Sequence, residues 1–308
     1  MDYFFNILTN VMLPIFLVIL AGAVINLVIK MDVKTLSRLL FNLIIPVMLF
    51  LKIYESDLDG ALLLQVGLIT AGSMSILYIL SLTIAKVFKF SRSETSVFVN
   101  TSTYFNSGNF SLPLMQILFN NPLVISIQAV IMIVQTTLFF TTGVYTAGAG
   151  KKGPKEAIKH ILKMPLIYVI IVAVVFKRME IPIFQPVKEA LDLIGSGFSS
   201  LALLTLGAQL TQIKLSFSNY KIHMTNFIRL LIAPLIAFTL VTIFGIEGLT
   251  AQVLIIGMGA PSAVNVVLTA IELDNEPEFA SQAVFSSTLL SSISLSLVIF
   301  LVFKYIPV

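Results

Sequence analysis

Two short stretches of this 308-residue chain hold the residue types that could do chemistry. The first is Asn106-Ser107-Gly108-Asn109-Phe110-Ser111-Leu112-Pro113. The second is Gly257-Met258-Gly259-Ala260-Pro261-Ser262-Ala263-Val264-Asn265. Each sets Gly, Pro and Asn in the middle of an apolar run. Glycine weakens a helix, and proline removes a donor and clashes with the preceding turn. A helix broken there exposes unpaired N–H groups at the start of one half and unpaired carbonyls at the end of the other. The N–H end is partially positive and suits an anion, whereas the carbonyl end suits a cation. The candidate substrate-binding residues are therefore Asn106, Gly108, Asn109, Ser111, Pro113, Gly259, Pro261, Ser262 and Asn265. Gln209, Thr269 and Ser287 are candidate polar residues of the same cavity; a sodium site would need Ser262, Thr269 and Ser287 clustered at the crossing. The competing reading is a pair of ordinary proline kinks. Gln128 and Gln135 either line the cavity or bond one helix to another.

The elements that must position these residues are membrane helices. The chain is 57% hydrophobic and 11% charged, against about a quarter charged in soluble domains. A spanning helix needs about 20 mainly apolar residues. Ten such runs lie near 6–29, 35–54, 61–86, 94–118, 122–147, 162–178, 187–211, 222–244, 250–272 and 280–304. The two broken stretches fall in spans four and nine. Pro14 and Pro165 sit in similar apolar contexts 151 positions apart, and Pro113 and Pro261 are 148 apart. This predicts an all-α integral membrane protein in a 5+5 inverted repeat, with residues 1–150 and 151–308 as the two units. Interrupted helices at matching places in the two units point to a binding site. Of the 19 Lys and Arg, 14 fall in odd-numbered loops, Arg229 among them, which places those loops in the cytoplasm and both termini outside.

Other functions are poorly supported. There is no Cys, and the two histidines, His160 and His223, both fall in basic segments, so neither thiolate nor histidine metal chemistry is expected. No Walker-type loop predicts ATP hydrolysis. No Asp or Glu falls near the middle of a span, which favours an anionic or neutral substrate over a proton-driven cation antiporter. Glu272 and Asp274 read as a solvated loop. The net charge of +4 needs no nucleic acid to explain it. The N-terminal apolar run is long and lacks a basic start, so it reads as a retained first span. No cofactor and no enzymatic activity are expected.

Several motifs together resemble the auxin efflux carrier family in its short prokaryotic form. They are Ser107-Gly108-Asn109-Phe110-Ser111-Leu112-Pro113, Leu206-Gly207-Ala208-Gln209-Leu210, Arg229-Leu230-Leu231-Ile232-Ala233-Pro234, and the stretch from Pro261-Ser262-Ala263-Val264-Asn265 to Ser287-Thr288-Leu289-Leu290-Ser291. The resemblance covers nearly the whole chain. It implies the fold shared with bile-acid/sodium symporters. Spans 1, 2, 6 and 7 would form a scaffold, and spans 3–5 and 8–10 a transport domain with helices 4 and 9 crossed. It also implies a carboxylate bound at the crossing, with Asn109 and Asn265 in that role by position. Ser111 stands where family members often carry a second Gly. The expected function is a secondary permease of a small carboxylate, such as malate, malonate or an auxin-like weak acid, in the plasma membrane. A homodimer and a coupling Na+ or H+ are compatible with it. The alternatives are a sodium- or proton-coupled carrier of a larger amphipathic anion, or a non-transporting membrane sensor.

Overall fold

The computed structural model describes residues 2–56, 60–148, 165–211 and 220–307. Among these residues regular structure is helical, apart from one isolated bridge between Phe105 and Ser262. Seven helices are long and apolar enough to cross a membrane: α1 (Phe4–Ile29), α2 (Val33–Glu55), α3 (Gly60–Val87), α6 (Pro122–Ala147), α8 (Gln185–Leu210), α9 (Tyr220–Ile243) and α12 (Pro277–Tyr305). Five shorter helices lie between them: α4 (Arg92–Thr103), α5 (Leu112–Phe119), α7 (Pro165–Arg178), α10 (Gly248–Met258) and α11 (Val264–Glu272). Predicted span four is thus two half-helices, α4 and α5, and span nine is α10 and α11. The start of span six, at 162–164, and the lysines of loop five lie outside the described residues.

The prolines explain much of the helix irregularity. Pro14, Pro46, Pro113 and Pro234 each sit in the first turn after a five-residue π-helical stretch: Leu8–Met12, Leu40–Ile44, Ser107–Ser111 and Ile228–Ile232. Proline cannot donate to the carbonyl four residues back and crowds it; the wider π turn moves that carbonyl aside, so the helix bends without breaking. Helix starts follow their caps. Asp32 accepts from the N–H groups of Lys34 and Thr35 at the head of α2, and Ser91 with Glu94 forms a capping box on α4.

Packing gathers the helices into two groups. In one, α8 lies against α1, and α7 and α8 both lie against α2. The α1–α8 contact is backbone to backbone. A Cβ at Gly207 would stand 1.9 Å from the Ile19 carbonyl oxygen, and one at Gly22 would stand 2.1 Å from that of Leu204. Asn26 Nδ2 ties the pair further, donating to Thr211 Oγ1 at 2.7 Å. Small residues permitting close approach are how helices associate where no hydrophobic drive exists between them. In the other group α3 packs on α4, α6 and α9, α10 on α6 and α9, and α11 and α10 on α12. Large side chains such as Leu27, Val28, Leu64 and Leu68 stand exposed on the outside, where hydrocarbon would cover them.

Two expectations are corrected here. Arg229 is not a loop residue: it lies in the π turn of α9 and is fully buried, so 13 rather than 14 basic residues remain in the odd loops. Its neighbours Phe227, Ile228, Leu230 and Leu231 place it inside the apolar run. The second correction concerns Pro113 and Pro261. Pro113 lies in the first turn of α5, whereas Pro261 lies in the non-helical link between α10 and α11. The pair therefore does not mark equivalent positions.

Candidate substrate-binding site

The second interruption occupies 259–263, inside the predicted stretch. The first occupies 104–106, just ahead of it, and Ser107–Ser111 is already a π turn leading into α5. The shift has a clear cause. The two links pair with each other as extended backbone, and Pro113 is accommodated by the π turn, so the break falls where the pairing is. Asn106 N–H donates to the Pro261 carbonyl at 2.8 Å, and Ala263 N–H donates to the Tyr104 carbonyl at 2.9 Å, on either side of the Phe105–Ser262 bridge. Backbone groups left over by each break are thus satisfied by the other, which makes irregular backbone tolerable at this depth. Ser262 reinforces the join. Its N–H donates to Ser287 Oγ at 3.1 Å and its hydroxyl donates to the Thr101 carbonyl at 2.7 Å.

The carbonyl-bearing ends of α4 and α10 converge on one side chain. Arg229 Nη1 donates to the carbonyls of Ser102 and Thr103, at 3.2 and 2.8 Å, and Nη2 donates to the carbonyl of Met258. The guanidinium carbon stands 5.2 Å from the Phe105 ring centroid, a cation–π contact with the link itself. Among the described residues Arg229 is the one charged side chain that is fully buried.

The N–H-bearing ends converge elsewhere, on a small cavity of about 40 Å³. Its walls include Asn106, Ser107, Gly108 and Asn109 from the head of the π turn that leads into α5, and Ala263, Val264 and Asn265 from the head of α11. Asn106 caps its own turn, accepting from Asn109 N–H at 3.2 Å. The head of α11 has no side-chain cap; Val266 N–H donates back to the Ala263 carbonyl at 3.1 Å, which leaves the N–H groups of Val264 and Asn265 available. Asn109 Oδ1 and Asn106 Nδ2 are buried without a protein partner. Gln135 and Thr136 of α6 complete this side, Gln135 Oε1 accepting from Ser107 Oγ at 2.8 Å. Phe41 of α2 and Gln209 of α8 form the opposite wall, with Gln209 Nε2 donating to Ser37 Oγ at 3.3 Å. The cavity therefore sits between the two helix groups. Two partially positive helix ends and several neutral amides suit a carboxylate.

Of the twelve residues named from sequence, Asn106, Gly108, Asn109, Gln209 and Asn265 line this cavity. Asn265 is the exposed member, at the cavity mouth. Ser111, Pro113, Gly259, Pro261, Ser262, Thr269 and Ser287 do not line it. Ser111, Pro113, Gly259, Pro261, Ser262 and Ser287 are buried in the packing around the links, and Thr269 lies a turn beyond the cavity on α11. The oxygens considered for sodium are not gathered: Ser262 and Ser287 bond each other and neighbouring carbonyls, and Thr269 stands apart. Gln128 is a helix tie, donating to the Ser107 carbonyl at 3.2 Å. Sequence reasoning missed Phe41, Thr136 and the placement of Arg229. An arginine flanked by apolar residues inside a predicted span was the available signal for the last. Among the described residues no three His, Cys, Asp or Glu side chains come together to hold a metal.

Comparison with known proteins fits this architecture. Residues 151–299 match the family described as membrane transport protein. A protein of Methanothermobacter thermautotrophicus described as an uncharacterized transporter is 26% identical over 300 residues, 94% of this chain and 96% of its own. Another described in the same words, from Methanocaldococcus jannaschii, is 26% identical over 153 residues, 48% of this chain and 49% of its own. These matches support a membrane transporter resembling the auxin efflux carrier family. The chain is a multi-pass protein of the bilayer, and the proteins it is similar to are transporters.

Proposed function

We propose that the chain is a secondary carrier of a small organic anion, a carboxylate such as malate, malonate or an auxin-like weak acid. The anion would bind at the crossing of the two interrupted helices and be carried by alternating access. The observation that carries this reading is the meeting of two helix N-termini, with the buried amides of Asn106 and Asn109, on one cavity between two helix groups. At about 40 Å³ the cavity has room for a few water molecules. Admitting a carboxylate requires the wall of Phe41 and Gln209 to move away from the paired links. Relative motion of two groups around a fixed site is the expected behaviour of such carriers. In this reading α1, α2, α7 and α8 are the scaffold, and α3–α6 with α9–α12 move.

Hydrogen bonds support a crossing by each interrupted span, which with the seven long helices and α7 makes ten. Asn275, just before α12, donates to Ser96 Oγ near the start of α4 and to the Ala147 carbonyl at the end of α6. Since α6 crosses the membrane, α4 and α5 together must cross it too for both contacts to lie on one face. Likewise Gln252 near the start of α10 donates to the Ile306 carbonyl beyond the end of α12 at 2.7 Å. Because α12 crosses, α10 with α11 must cross as well. The antiparallel pairing of the two links fits units of opposite orientation, residues 1–150 and 151–308. With the basic residues counted again, odd loops remain cytoplasmic and the termini extracytoplasmic in a plasma membrane.

The test is a titration of purified protein with malonate, malate and indole-3-acetate, read by thermal shift. Asn109→Ala and Asn265→Ala are expected each to weaken binding about ten- to hundred-fold, because a hydrogen bond to a charged group is worth roughly 1.5–3 kcal/mol. Val28→Ala, on the exposed outer face, is the control. Unchanged affinity in both Asn variants would move the site away from the crossing.

A further inference from the structure

Four helix ends meet at the crossing, and they are not equivalent. Two carry unpaired N–H groups and face the cavity. Two carry unpaired carbonyls, and those of Ser102, Thr103 and Met258 all accept from the guanidinium of Arg229. Each helix end bears roughly half an elementary charge. The two carbonyl ends together thus balance roughly one positive charge, which Arg229 supplies. In carriers built on broken helices such carbonyl ends are where a coupling cation is coordinated. Here the hydroxyls that would join them are committed. Ser262 Oγ donates to Thr101, and Ser287 Oγ accepts from Ser262 N–H and donates to the Val284 carbonyl. Arg229 bonds three carbonyls and stands over the Phe105 ring, with no ion pair to a carboxylate among the described residues.

We propose that Arg229 is the positioning residue of the anion site, a tethered cation that takes the place of a coupling ion at the carbonyl ends. It holds α4 and α10 together and so sets the spacing of the two N–H ends that bind the anion. A guanidinium suits this task because its planar fork is permanently charged, weakly hydrated and able to reach carbonyls on two helices at once. An ammonium would be a point charge on a flexible stem and could not reproduce the fork. With the carbonyl ends neutralised from within, the two N–H ends are left with roughly one unbalanced positive charge between them. That matches one carboxylate charge, so a monoanion fits the site better than a dianion. This inference rests on the anion-carrier reading for its second half but not for its first.

The experiment therefore has two arms. The first needs no anion. Wild type, Arg229→Ala and Arg229→Lys are melted in choline chloride, then with added sodium chloride or millimolar guanidinium chloride. Arg229→Ala is expected to melt lower and to be raised again by guanidinium, while wild type does not respond. A guanidinium response equal in wild type and variant, or none in either, overturns the tethered-cation assignment. The second arm titrates acetate and malonate. Wild type is expected to bind acetate equally in sodium and in choline. Arg229→Ala is expected to lose at least about tenfold in choline and to regain it with guanidinium, the scale of a charge-assisted hydrogen bond. Wild-type affinity in Arg229→Ala in choline overturns the positioning role. Should Arg229→Ala not fold, Arg229→Lys decides: melting and affinity equal to wild type overturn the need for a fork, and a loss in both supports it. Absence of any carboxylate binding by wild type would sink the anion-carrier reading while leaving the first arm to stand or fall by itself. Tighter binding of malonate than of acetate overturns the monoanion match.

Discussion

At the residue scale, the same backbone break gives opposite environments on its two sides. Asn109 is buried beside N–H-bearing ends with its Oδ1 lacking a protein partner, and Arg229 is buried among carbonyls that use its fork. An uncharged amide can wait for a ligand at modest cost, whereas a buried charge must be compensated at all times. Outside the membrane, Asp32 shows the milder form of the same logic. Thr35, through its hydroxyl at 2.6 Å and then its N–H, with further help from Lys34 N–H and the charge of Arg38, holds the Asp32 carboxyl below its ordinary range. A lowered carboxyl adds stability that is full above its unfolded value and lost as pH falls through its folded one. Wild type should therefore lose part of its thermal stability on acidification below about pH 4, in the Asp range. Asp32→Asn, which keeps a capping oxygen but cannot ionise, should lack that component. Parallel melting curves of the two proteins down to that acidity would show that the cap carries no charge effect.

At the element scale, two devices keep interrupted helices ordered. The π turns ahead of Pro14, Pro46, Pro113 and Pro234 absorb proline without breaking the ladder. The extended links at 104–106 and 259–263 break it and pay by pairing with each other. Close approach of α1 and α8 is a third constraint, and it is steep. Gly207→Ala would place a methyl 1.9 Å from the Ile19 carbonyl oxygen and 2.8 Å from Ala23 N, both backbone atoms that cannot rotate away. The helices must separate, at a cost of about 1–3 kcal/mol or more. The expected result is a clearly lowered melting temperature in detergent, with anion binding retained in the folded fraction. A variant as stable as wild type would mean that α1 and α8 slide freely past one another.

At the scale of the whole molecule, the candidate site lies on the seam between two helix groups. A Cβ at Gly108 would stand 3.5 Å from both the Phe41 ring and Met132 Sδ, one from each group. The chain contains no Cys, so Phe41→Cys with Met132→Cys gives a unique thiol pair. Bridging them with a short reducible linker is expected to stop transport, and reduction to restore it. Transport that continues through the bridge would exclude relative motion of the groups as the mechanism. Topology is checked separately: reporters fused at Val308 and inserted at Gly150 should label opposite faces of the membrane. If both report the cytoplasm, the count of crossings is wrong by one.

Much was legible in the residues alone, because hydropathy and helix breaking are local properties. Apolar runs announced the membrane helices, and the Gly, Pro and Asn content of two of them announced interrupted spans and the amides of Asn106, Asn109 and Asn265. What the chain could not announce is which side of a break a group would face. Ser262 and Ser287 look as suitable for a ligand as Asn109, yet they turned to bond the links together. Pro113 looks like the breaking residue, yet the π turn absorbed it and the break moved to Tyr104–Asn106, where the other extended link was available to pair. Arg229 resembles a loop charge until three carbonyls, contributed by α4 and α10, are brought around it. Those contacts span 127, 126 and 29 positions of sequence. The compensation of a buried charge, unlike the breaking of a helix, exists only once distant segments have crossed.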